Sequence, residues 1–291
     1  MMGIGRVWFR NGLAATALAL GTIAAALAQG ATSPPALILA VHPYLPAAEL
    51  LKRFAPLARA LGQAAGRPVV VRVGSTYDEQ IDAIGTDSVD LAYMGPAPYV
   101  ILVGKYGVKP LLGRQVVDGD PLLHGEIIVR QDSAIQTLQD LKGRRFAFGD
   151  PESTTSAVLP AYLLHSAGVP ASALASSKYL GSHKNVALAV LAGDYDAGAV
   201  KEEVFEAFAA RGLRTIAAEP PVPDHVIVAS RKLPASLVDT LRSTLLDLGR
   251  TPGGRAALAA IETGLGTFVA ARDSDYDGLR SLMRKPVPPG R

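Results

Sequence analysis

The sequence predicts an α/β protein in two lobes, each a mainly parallel sheet flanked by helices, with two hinge crossings between them. Two observations carry this expectation. Apolar, β-branched runs alternate with stretches of helical spacing, the pattern of strand–helix–strand units. The alternation also breaks at Asp118-Gly119-Asp120-Pro121 and starts again, while Pro220-Pro221-Val222-Pro223 stiffens a second crossing. One lobe is expected at 36–122 and 226–291 and the other at 123–225, with crossings near 120–126 and 220–226.

The elements follow in order. Leu37 to Val41 is a β-favouring run that breaks at Pro43. From Pro46 the spacing turns helical, with Leu50, Leu51, Phe54, Leu57, Ala58 and Leu61 on one face and a stop between Gly62 and Pro68. Val69 to Val73 is a second strand, Tyr77 to Ile84 a helix, and Asp90 to Pro96 a short strand turning into a helix near Tyr99. The second series has strands at 126–129, 145–148 and about 197–200. A short helix at 138–143 and helices at 157–167 and 185–192 lie between them. Val226 to Val228 returns as a strand, and Leu237 to Leu248 is an amphipathic helix.

The N-terminus points to export. Arg6 and Arg10 precede an apolar run from Leu13 to Leu27, which ends in the small-x-small sequence Ala26-Leu27-Ala28. That is the plan of a signal peptide over 1–28, with cleavage after Ala28. The run is short for a membrane span, which needs about 20 residues. The chain has no cysteine, so neither a lipobox anchor nor disulfides nor thiolate zinc is available. Formal charge is +3. Losing Arg6 and Arg10 leaves the mature chain near balance, which argues against nucleic acid as a partner.

Three segments can carry chemistry. Ser153-Thr154-Thr155-Ser156 follows a strand and the turn Gly149-Asp150-Pro151, and it precedes a helix. Unpaired N–H groups and partial positive charge at a helix start attract anions, and hydroxyls add donors. Ser and Thr are also the usual caps, but one cap needs one hydroxyl and four stand here. Gly181-Ser182-His183 occupies a similar strand-to-helix position. Its residues alone read as a capping Ser182 beside a surface histidine, although protonation near pH 6.5 would let His183 grip an anion. Tyr77 heads a helix, where a phenol packs or faces a cleft. No nucleophile elbow, zinc-binding His-Glu-x-x-His or phosphate loop occurs, and the five histidines lack metal-ligand spacing. No catalytic residue, metal or cofactor is therefore expected.

These segments together resemble the periplasmic phosphonate-binding family, whose members feed importers of phosphonate, phosphite or phosphate. The resemblance rests on an ordered set of motifs. They run Ser75-Thr76-Tyr77-Asp78, Val89 to Pro96, Asp140-Leu141-Lys142-Gly143, Phe146 to Thr155, Gly181-Ser182-His183 and Val190 to Asp196. It implies a two-lobed periplasmic binding protein of type II-like plan. By position, Ser153, Thr154 and Thr155 would hold phosphoryl oxygens, with Ser156 beside them, His183 would donate from a neighbouring loop, and Tyr77 would close from the first lobe. Ser153-Thr154-Thr155-Ser156 departs from the commoner Ser-Thr-Ser-Gly, and Leu123 beside His124 replaces a frequent aromatic. Glu203 matches one of the acids that meet the amine of aminoalkyl phosphonates; the other falls near Asp224 and His225.

The resemblance implies a periplasmic monomer that captures a small oxyanion and docks on an ABC permease in the inner membrane. A ligand-reporting subunit of a membrane sensor kinase would need the same pocket, and a phosphoryl-ester hydrolase is the remaining alternative.

Overall fold

The computed structural model describes residues 34–284. The expected leader, its cleavage point after Ala28, and residues 285–291 lie outside the described residues.

β1 (Leu37–Val41) is the first β-branched run, and α1 (Ala47–Ala65) follows Pro46. Leu50, Phe54, Leu57, Ala58 and Leu61 form the buried stripe of α1. Each large apolar side chain there contributes about 1.5–3 kcal/mol on burial. Leu51, assigned to the same face by spacing, is instead 44% exposed. It sits one residue, about 100°, round the helix from Leu50 and falls off the buried stripe. The helix also passes Gly62 and ends at Gly66, whose φ of 65° makes the left-handed cap.

β2 (Val69–Val73) and β3 (Leu91–Met94) flank β1 in parallel, joined through α2 (Tyr77–Gly85). α3 (Pro96–Tyr106) leads to β4 (Leu111–Val117) and then to the two-residue β5 (Leu122–Leu123). The second sheet uses β6 (Gly125–Arg130), β7 (Arg145–Phe148), β8 (Ser176–Tyr179), β9 (Ala197–Lys201) and β10 (Leu213–Ala218). Its helices are α4 (Leu159–Ser166), α5 (His183–Ala192) and α6 (Glu202–Ala209). The chain returns through β11 (Val222–Pro223) to β12 (Val226–Ala229), α7 (Ala235–Asp247), α8 (Pro252–Ile261), β13 (Leu265–Val269) and α9 (Asp277–Met283).

The first sheet has the order β13-β4-β12-β3-β1-β2, the second β10-β6-β9-β7-β8, and β5 pairs only with β11. Parallel pairing holds where strand–helix–strand units build the sheet, at β2-β1-β3 and β9-β7-β8. Each sheet also has an antiparallel half, at β3-β12-β4-β13 and at β9-β6-β10. β5 and β11 lie on the two segments that pass between the sheets and pair antiparallel, Val222 with Leu123 and Pro223 with Leu122. No helix among the described residues is long and apolar enough to cross a membrane.

Candidate anion site at the strand ends

Ligands in open α/β sheets sit beyond the carboxyl ends of the parallel strands. His42 follows β1, Gly95 follows β3, Gly149 follows β7, and Lys201 ends β9. Four helix starts meet at the same place. Tyr77 opens α2, Gly95 caps α3, Ser153 precedes a helical turn leading into α4, and His183 opens α5.

The turn after β7 is unusual. Over Thr154–Val158 it is a single π-helical turn, closed by Val158 N–H donating to the Ser153 carbonyl (3.0 Å). Such wide turns recur at functional sites. Because that bond spans five residues, the N–H groups of 154 to 157 have no partner within the turn, and they carry the positive end of its dipole. The turn packs against Gly149, whose N–H donates to the Ser156 carbonyl (2.9 Å). A Cβ on Gly149 would lie 2.0 Å from Ser156 Oγ. Gly149→Ala is therefore expected to displace the turn, lower the urea midpoint by the equivalent of about 1–3 kcal/mol, and weaken ligand binding. A variant with unchanged midpoint and affinity would contradict this packing.

The side chains are ordered by complementary donors and acceptors. His183 Nδ1 accepts the Lys201 N–H (2.9 Å), so in the neutral ring the proton sits on Nε2, which faces Ser153 Oγ at 3.2 Å. Thr154 Oγ1 accepts the Ala97 N–H of α3 (2.9 Å) and so ties the two lobes together. With an N–H occupying its oxygen, each of these two hydroxyls has its own proton left to donate. The Tyr77 N–H reaches Asp150 Oδ2 at 3.5 Å. Burial pushes the Tyr77 and Tyr44 phenols up, so both remain protonated donors.

These residues close a cavity of about 10 Å3, the room of roughly one water. His42, Tyr44, Leu123 and His225 complete its walls, and no carboxylate is among the lining residues. His42 stacks on Tyr93 and His225, with ring centroids 5.7 and 5.3 Å away, and tilts against Tyr77 at 4.6 Å.

His183 is not the surface residue its capping neighbourhood suggested. It is only 4% exposed. Burial, then Lys201 and His225, hold it down to about 3. The expected gain from protonation near neutral pH is thus replaced by a fixed neutral donor. His42 is also held well below its usual range, by burial and then His225. Both rings stay neutral in the fold while the unfolded chain takes up protons below about 6.5. Folding stability is therefore fully present above that pH and falls as pH drops toward about 3 for His183. The loss is up to about 1.4 kcal/mol per pH unit for each ring. Urea midpoints measured down to about pH 4 should decline; a flat profile would contradict the buried neutral state.

The structure brings Tyr77, Ser153, Thr154, Thr155 and His183 together around the cavity. It places two further residues elsewhere. Ser156 is fully buried behind the turn, and its Oγ has no partner. Glu203 lines a wider neighbouring cleft of about 640 Å3 that also contains Arg53, Asp118, Asp120, Glu206 and Glu262. It pairs there with Arg53 (2.5 Å) and Lys201 (3.6 Å). His42, Tyr44, Gly95 and Lys201 were not singled out from sequence. Each of His42, Gly95 and Lys201 stands at the carboxyl end of a strand, and that position was the available signal.

Behind the cavity lies a buried charge network. Lys201 Nζ meets Glu262 Oε2 at 2.5 Å, and Gln115 Nε2 donates to Asp224 Oδ2 (3.0 Å) and Glu262 Oε2 (3.3 Å). Asp224 Oδ1 lies 2.7 Å from His225 Nδ1. Burial opposes the Lys201 charge, but Glu262, Glu203 and Asp224 outweigh it and raise its pKa.

A two-lobed α/β fold whose strand ends and helix starts converge on one pocket is that of the periplasmic binding proteins. Within that class, residues 39–276 match the family described as the phosphonate periplasmic substrate-binding protein of ABC transporters, and the chain belongs to it. A phosphate-import protein of Mycolicibacterium smegmatis is 28% identical over 86% of this chain and 85% of its own length. A binding-protein component of an ABC phosphonate transporter from Pseudomonas aeruginosa aligns with TM-score 0.78 at 23% identity, over 85% of each chain. The Prochlorococcus marinus protein PhnD1, solved with methylphosphonate, aligns with TM-score 0.77 at 22% identity, over 86% of this chain and 97% of that one.

Proposed function

We propose that this protein captures a phosphonate, phosphite or phosphate oxyanion in this pocket, which must widen beyond the room of one water to admit it, and delivers it to an ABC permease in the inner membrane. One observation carries the reading: hydroxyls, a neutral imidazole N–H and helix starts converge on a cavity whose lining includes no carboxylate. Anions are held well by several such donors, since charge-assisted bonds are about twice as strong as neutral ones. Ser153, Thr154, Thr155, His183 and Tyr77 hold the oxyanion. Ser156 supports the turn from behind, and Glu203 would meet an organic tail rather than the oxyanion. The β5–β11 ribbon is the hinge, near 120–126 and 220–226, on which the lobes 36–122 with 226–291 and 123–225 close. The protein acts as a periplasmic monomer, without a cofactor, after cleavage behind Ala28.

The role is capture without turnover. Ser153 and His183 resemble a nucleophile and base only in distance (3.2 Å). A base must present a free lone pair to the hydroxyl, and here the Lys201 N–H occupies Nδ1 and leaves the proton on Nε2. Calorimetry of the leaderless, ligand-stripped protein with phosphite, phosphate, methylphosphonate, 2-aminoethylphosphonate and sulfate tests the reading. Saturable one-site binding of at least one phosphorus anion is expected. Folded protein that gives no heat with any of them contradicts it.

A further inference from the structure

We propose that His42 is an obligate hydrogen-bond acceptor in the pocket and selects oxyanions that carry an O–H over isosteres that carry none. This deepens the reading above and rests on it.

The Tyr93 carbonyl accepts from Gln80 Nε2 at 2.8 Å and lies 3.1 Å from His42 Nδ1. A carbonyl oxygen only accepts, so Nδ1 of His42 must carry its proton. In a neutral imidazole the other nitrogen is then a bare lone pair. Nothing among the described residues donates to Nε2 of His42, and the ring lines the cavity. His225 stacks on it, and Tyr44 and Tyr77 tilt against it without hydrogen-bonding to it. Burial and the Lys201 ammonium disfavour an imidazolium. His225 has Nδ1 committed to Asp224 Oδ1 at 2.7 Å.

A fully deprotonated anion would set an oxygen lone pair against the Nε2 lone pair. A hydrogen phosphate or a hydrogen phosphonate instead donates its P–O–H to Nε2 and uses its charged oxygens on the hydroxyls, the turn N–H groups and His183. Sites built to bond a ligand hydroxyl reject analogues lacking it strongly, because a buried polar group is left unpaired.

The test compares three anions on the leaderless protein by calorimetry. Phosphate keeps an O–H through the neutral and mildly alkaline range, methylphosphonate loses its only one at its second ionisation, and sulfate has none. Phosphate should bind at least ~100-fold more tightly than sulfate. Methylphosphonate affinity should fall ~tenfold for each pH unit above its second ionisation, while phosphate affinity holds. In His42→Phe, if it folds, the phosphate-over-sulfate preference should shrink to within ~tenfold. The wild-type pH comparison stands without that variant. Sulfate within ~tenfold of phosphate, or a flat methylphosphonate profile, overturns the role of His42 while leaving anion capture intact. Folded protein that binds none of the phosphorus anions overturns both.

Discussion

His183→Ala should weaken binding of the captured phosphorus anion about 100-fold, more than any other single hydroxyl or imidazole change in the pocket. The anion loses the Nε2–H donor; a hydrogen bond to a charged group is worth about 1.5–3 kcal/mol, and each ~1.4 kcal/mol is tenfold in affinity. The Lys201 N–H, which His183 Nδ1 accepts at 2.9 Å, is also left unpaired at a buried strand end, which lowers folding stability as well. Ser153→Ala removes one donor and leaves His183 facing the anion, so about tenfold is expected. Calorimetry on both variants, with the anion that wild type binds best, checks the ranking. The His183 effect should not vary between about pH 5 and 8, because the ring is held near 3. An effect that vanishes above neutral pH would mean that an imidazolium makes the contact.

The second large effect concerns Lys201. Its ammonium is 6% exposed and meets an equally buried Glu262 carboxylate at 2.5 Å, joining the end of β9 to the segment after α8. A buried pair of this kind adds little net stability, yet removing one member leaves the other charge uncompensated at about 3–5 kcal/mol. Lys201→Ala should therefore lower the urea midpoint by that equivalent. Lys201→Met combined with Glu262→Gln should recover most of the loss, since neither residue then carries charge. Equal destabilisation by the single and double variants would show that an uncompensated Glu262 charge does not govern this junction.

Much of the fold was readable in sequence, and the unread parts share a cause. β1, β3 and β7 are short apolar runs, bounded by Pro or Gly, that pack inside the sheets, and β2 is a β-branched run at the edge beside β1. β4, β10 and β13 were missed. Gly113, Arg114 and Gln115 interrupt the first, Arg214 and Thr215 the second, and Gly266 the third. Their pairing is antiparallel, at or near a sheet edge, where periodicity alternates or breaks. The helix of 157–167 was placed correctly in space, but its first turn is a π turn over Thr154–Val158 that no residue pattern announces.

The site was partly legible for a related reason. Four consecutive hydroxyls ahead of an apolar helix are a local signal, and three of the four line the cavity. Ser156 faces Gly149 instead, because the wide turn rotates it behind the others. His42 and Lys201 are single residues after ordinary strands, and only the sheet topology brings them to the same point. Glu203 shows the opposite case. Its sequence position fits a ligand contact, but Arg53, from α1, pairs with it in the wider cleft.

Capture of a phosphorus oxyanion by closure of the two lobes has a direct physical readout. The chain has no cysteine, so spin labels attach only where Cys is introduced. Arg72 on β2 and Lys178 on β8 are exposed positions, one on each sheet. Pulsed electron paramagnetic resonance on the Arg72→Cys/Lys178→Cys protein, with and without the best-binding phosphorus anion, measures the distance between lobes. The distance distribution should change and narrow at saturation, and it should not do so when Ser153→Ala and His183→Ala are added. A distribution that stays unchanged while calorimetry shows the anion bound would contradict closure around it.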